Sequence, residues 1–177
     1  MKLINQMNLL SVFRILTFIL LPIATIFGFM ALLFLLTALA NPAFLLIVFL
    51  FSCMVIYSFA SLSFLSKGIE TGRPCKPSLR DWIRVNAYVC IFIGVLFLMN
   101  SLSVFLMSQV SLRQIVVQML ETQPNIPATL NPDFFLRILK LVSGFMLFVS
   151  VILLAHIFIN FKMLKRYNHI FSAAAQD

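Results

Sequence analysis

Residues 66–84 read SKGIETGRPCKPSLRDWIR, and long apolar runs flank them on both sides. The stretch carries Lys67, Arg73, Lys76, Arg80 and Arg84, with two glycines and two prolines among them. A short cationic connection between two runs long enough to cross a bilayer sets the sidedness of a membrane protein, because cytoplasmic loops collect Lys and Arg. The fold class follows from this stretch and from what surrounds it.

The surroundings are mostly hydrocarbon. Of the 177 residues, 62% are hydrophobic and 10% charged, and mean hydropathy is +1.08. Soluble domains lie near 45–50% apolar and about 25% charged. A chain of this length has no interior large enough to hide the excess, so lipid is its expected solvent. The formal charge of +8 does not point to nucleic acid. Most Lys and Arg sit just outside apolar runs, where anionic lipid headgroups are the natural partner. Cys53, Cys75 and Cys90 form no CxxC pair and define no disulfide or zinc framework.

Working outward, the second apolar run spans about 43–66 and the third about 85–107. The first, about 15–40, contains Pro22, which should bend a helix by removing one hydrogen bond. Residues 1–13 mix polar and apolar positions and are expected to lie along the headgroups. Ala38-Leu39-Ala40 resembles a signal-peptide cleavage site. The preceding apolar run is longer than a signal core, however, and its basic residue sits far from the start, so the run is expected to remain as a span. About 20 residues cross the roughly 30 Å hydrocarbon layer. The fourth run covers about 134–161.

Connections carry their own signals. Asn41-Pro42 and Asn131-Pro132 each place a capping side chain before a proline suited to the first helical position. Asp133 adds an acid that the helix dipole favours. Lys67-Gly68 is expected to stop the second helix, and Ser78 with Asp81 three residues on has the spacing of a capping box for the third. Residues 111–121 put Leu112, Ile115, Val116, Met119 and Leu120 on one side and Gln114, Gln118 and Glu121 on the other, as an amphipathic helix does. Pro124 and Pro127 should end it.

The expected fold is an all-helical integral membrane protein, one domain over 1–177 built as an antiparallel bundle of four transmembrane helices. On one side lie Lys2, Arg14, the five cations of loop 67–84, and Lys162, Lys165 and Arg166 of the tail 162–177. On the other lie Arg113, Arg137 and Lys140. Ten against three places both termini in the cytoplasm and the connection 108–133, with its short amphipathic helix, outside. The compact plan and the charge asymmetry suit a bacterial inner membrane.

Within the spans, ionisable groups are scarce. His156 is the exception, and an intramembrane ionisable residue is a functional candidate. Its depth matches Tyr57 and Ser61 on the second span and Tyr88 on the third. Asn100 lies toward the other leaflet, where an amide can join helices. Ala24 with Gly28, and Ser143 with Ser150, read as close-packing faces. Lys67, Arg73, Lys76, Arg80 and Arg84 are candidates for headgroup or partner docking, and the cations beside Cys75 should favour its thiolate.

No acid lies inside any span, no histidine pair could hold a haem, and no cysteine pair faces the outer side. The four-span disulfide-generating quinone reductases, the haem b carriers and the small multidrug exporters need those features. No cofactor is expected, and no nucleic-acid partner. The sequence points to a non-enzymatic multi-pass membrane protein. It would be an accessory, scaffold or assembly subunit acting through helix packing and its basic loop, with a protein partner or a second copy of itself. The competing expectation is a small oligomeric transporter or channel with His156 and Asn100 in its path.

Overall fold

The computed structural model describes residues 2–122 and 131–172, with side chains from 9–122 and 131–171. Every element among them is helical. The order is α1 (Lys2–Ala38), a 3-10 turn (Pro42–Phe44), α2 (Leu45–Ser63), a π-helical segment (Phe64–Glu70), α3 (Pro77–Leu106), α4 (Gln109–Glu121), α5 (Pro132–Arg166) and α6 (His169–Ser172). Four stretches are long and apolar enough to cross a membrane: Leu9–Ala38, Pro42–Glu70, Pro77–Leu106 and Pro132–Arg166. Their most apolar windows have mean hydropathies of 2.5 to 2.6. In hydrocarbon the backbone must satisfy its own polar groups, which is why these runs are helices. At 1.5 Å per residue, about 30 residues rise roughly 45 Å, so each helix continues past the apolar layer.

Only 22% to 39% of each window is buried within the protein. Phe29, Leu36 and Phe158 are all more than half exposed. Apolar surface left in water costs about 25 cal/mol per Å², so faces of this kind need lipid around them.

The chain forms two compact units. The first comprises Met1–Ile93 and Ile152–Asp177. In it α1 and the second span, Pro42–Glu70, form an antiparallel hairpin, and partner numbers on that span fall as those on α1 rise. Phe34 stacks on Phe44 at 5.7 Å, Phe27 meets Phe51 edge-on at 4.8 Å, and Phe13 meets Phe64 edge-on at 6.5 Å. The small residues of α1 allow this approach. Ala24 is fully buried, and a Cβ added at Gly28 would come to 3.3 Å from Val55 Cγ2. The Asn41 side chain accepts from the Ala43 N–H at 3.1 Å, as its cap position predicts.

The second unit, Gly94–Val151, holds the later part of α3, all of α4 and the earlier part of α5. The Asn131 side chain caps α5 by accepting from the Asp133 N–H at 2.9 Å. Helix α4 is separate from α3: Ser108, with extended backbone, caps it by accepting from the Ser111 N–H at 3.2 Å. Leu112 and Val116 are its buried positions. Arg113 Nε lies 3.5 Å from Asp133 Oδ1. Pro124 and Pro127 lie outside the described residues.

Three local expectations give way. Gly68 does not end the second helix. A Cβ there would come to 3.1 Å from Cys75 Sγ and 3.2 Å from Phe64 Cδ2, so this glycine serves close packing. The helix runs on as a π-helix to Glu70, and the stop is Gly72, whose φ of 64° an L side chain rarely adopts. Nor does Ser78 cap α3. The helix starts at Pro77, whose fixed φ is preorganised for the first position, with Leu79 N–H bonded to the Lys76 carbonyl at 3.0 Å. Residues 2–13 are not a separate surface helix but the continuous start of α1.

Candidate functional site

The first unit contains a polar cluster that begins on two helices with the same spacing. Tyr57 and Ser61 are four residues apart on α2, and His156 and Asn160 are four apart on α5, so each pair shares one helix face. All four side chains are buried, with at most 0% relative exposure, and Thr17 of α1 joins them at 1%.

The hydrogen bonds assign their own direction. Thr17 Oγ1 donates to the Phe13 carbonyl at 2.7 Å. With that hydrogen used, Thr17 accepts from His156 Nε2–H at 3.0 Å. Nδ1 of His156 is then a bare acceptor and takes the Tyr57 hydroxyl hydrogen at 2.7 Å. The Tyr57 oxygen accepts from Asn160 Nδ2 at 3.2 Å, and the same amide donates to Ser61 Oγ at 2.7 Å. The assignment is a neutral ring protonated on Nε2, inferred from the network of partners. Phe13 stacks on the imidazole at 5.1 Å and closes one face of it. Asn160 Oδ1 is buried and has no partner among the described residues.

This cluster joins α1, α2 and α5 through side chains. It brings together His156, Tyr57 and Ser61 from the sequence-derived candidates. The other two take no part in its hydrogen bonds. Tyr88 is 66% exposed, with its ring 5.8 Å from Phe161. Asn100, in the second unit, is exposed and donates to the Leu96 carbonyl of its own helix. Thr17 and Asn160 complete the cluster and are not among the residues that the sequence singles out. The matched four-residue spacing on α2 and α5 was the signal that could have found Asn160. For Thr17 no comparable signal exists, because a threonine in a helix normally bonds its own backbone.

The basic loop has more internal structure than a solvated connection. Glu70 pairs with Arg14 at 2.7 Å. The Arg80 guanidinium donates to Asn168 Oδ1 at 3.1 Å, lies 3.5 Å from Asp81, and sits over the Phe171 ring at 6.0 Å. Cys75 N–H bonds the Ile170 carbonyl at 3.1 Å. Phe171 stacks on Phe64 at 5.4 Å. So the segment after α5 folds back through α6, buries Ile170 and Phe171, and extends the Phe13–Phe64 contact into an aromatic column ending at His156. Cys75 is 6% exposed. Burial pushes its thiol up from the ordinary value, and Lys67 only partly offsets this. The expectation that neighbouring cations favour its thiolate is therefore reversed.

Lys67, Arg73, Lys76 and Arg84 are exposed. The first three line a hollow of about 450 Å³ together with Ser63, Ser78 and Trp82. In the second unit, Val116, Met119 and Leu120 of α4 face Phe135, Ile138 and Leu139 of α5 across an apolar hollow of about 280 Å³.

Comparison with family models, with curated proteins and with solved structures gives no match.

Proposed function

We propose that this multi-pass membrane protein is a non-enzymatic scaffold or assembly subunit. It holds a rigid cationic surface at the cytoplasmic face of a bacterial inner membrane, with both termini on that side. The single observation that supports this most is the closure of the His156 cluster. His156, the one histidine among the described residues of the four spans, has both ring nitrogens occupied and one face covered by Phe13. A histidine bound in this way fastens helices; a group that handled protons or substrate would need access. The Lys and Arg of loop 67–84 and the folded-back α6 then form the part of the protein that meets partners, a second protein or another copy of the chain. Purification in mild detergent with chemical cross-linking tests this. The expected result is a specific co-purifying protein or a defined oligomer. A monomer that cross-links to nothing contradicts it.

One observation favours a second reading, a small transporter or channel with His156 in its path. Asn160 Oδ1 is a buried acceptor without a described partner, beside the His156–Tyr57 bond. Buried acceptors of this kind are commonly met by water. Flux through reconstituted vesicles that falls on His156→Ala would establish that reading, and absence of flux removes it.

A further inference from the structure

The hollow beside loop 67–84 has the chemistry of an anion site. Three of its lining side chains, Lys67, Arg73 and Lys76, are cationic, and Ser63 and Ser78 add hydroxyl donors. The acids near it are engaged elsewhere: Glu70 by Arg14 at 2.7 Å and Asp81 near Arg80 at 3.5 Å. Among the described residues no carboxylate pairs with Lys67, Arg73 or Lys76. Three cations held around one hollow without a counter-charge repel each other, and an anion relieves that repulsion.

The backbone fixes them in place. Gly72, at φ 64°, reverses the chain so that Arg73 N–H bonds the Lys67 carbonyl at 3.2 Å. Cys75 is tied to Ile170 behind them. Lys76 directly precedes the N-terminus of α3, a 30-residue helix whose dipole adds positive potential there. Trp82, on the same hollow and 57% exposed, marks the depth: indole rings settle at the level of lipid headgroups.

We infer that the hollow lined by Lys67, Arg73, Lys76, Ser63, Ser78 and Trp82 binds the phosphate of an anionic phospholipid headgroup as a discrete site. This rests on the proposed placement of the loop at the cytoplasmic face of the membrane, and it goes further by giving three of its cations one ligand class, which leaves Arg80, Arg84 and α6 to meet a partner. Smeared electrostatic attraction would weigh every exposed cation equally; a site weighs these three.

The test is thermal unfolding of the detergent-purified full chain with phosphatidylglycerol added, against phosphatidylcholine and inorganic phosphate. Phosphatidylglycerol raises the midpoint and the other two do not. The K67Q/R73Q/K76Q variant needs about a hundredfold more phosphatidylglycerol for the same shift, since each Lys or Arg near an anionic surface is worth about fivefold and three are removed. The K162Q/K165Q/R166Q variant loses the same charge from the exposed end of α5 and keeps the response. Both variants should melt like wild type without lipid. Equal losses from the two variants, no response to phosphatidylglycerol, or the same response to inorganic phosphate overturns the proposal. A missing lipid response with a protein partner still recovered by cross-linking leaves the scaffold reading standing.

Discussion

Replacing Tyr57 by Phe removes one hydroxyl and leaves two groups to look for it, His156 Nδ1 and Asn160 Nδ2. The two bonds share that oxygen, so the loss is not local to one pair. A cycle of Y57F, H156F and the double variant isolates the Tyr57–His156 term. Side-chain bonds between membrane helices average about 0.6 kcal/mol and reach about 1.7. With both partners buried and a second donor on the tyrosine, a coupling in the upper half of that range is expected from unfolding in detergent. Zero coupling would mean the cluster does not fasten α2 to α5. At this scale the sequence was informative for residues whose mere presence is unusual. A histidine in an apolar run stands out, and Tyr57 and Ser61 were placed beside it by depth. Depth does not determine facing, though. Ala87 is fully buried while its neighbour Tyr88 is 66% exposed, because adjacent helical residues point about 100° apart.

Helix ends were legible where one side chain does the work. Asn41 and Asn131 cap as their Asn-Pro pairs imply. They were illegible where tertiary packing chose between two adequate signals. Two glycines follow α2, and either one could have stopped it. Phe64 and Cys75 crowd Gly68, which leaves the left-handed turn to Gly72. The return of α6 onto the loop had no sequence mark beyond two apolar residues, Ile170 and Phe171, in a basic tail. That contact gives a prediction. Removing residues 168–177 takes away the Ile170 carbonyl and the Phe171 ring and uncovers Cys75. A charged, membrane-impermeant thiol reagent near pH 7.5 should modify Cys75 slowly in the intact chain and several-fold faster in the shortened one. Burial raises the thiol above its ordinary value, so at a given pH the intact chain holds less thiolate; lifting the burial lowers it again. Equal rates would show that α6 does not cover the loop.

The whole molecule is constrained by solvent more than by any single contact. Four helices with outward-facing Phe, Leu and Ile cannot persist in water, and composition alone was sufficient to show it. Composition could not show that the polar cluster lies wholly within the unit containing α1 and α2, since that depends on which helix faces meet. Nor does any contact within the protein set sidedness; the proposed orientation rests on ten Lys and Arg against three. The most direct measurement is a pair of topology reporters, one inserted beside Arg73 and one beside Thr122 at the end of α4, read in intact cells and in inverted vesicles. The account predicts opposite compartments, with the Arg73 reporter in the cytoplasm. Both reporters in one compartment would contradict it.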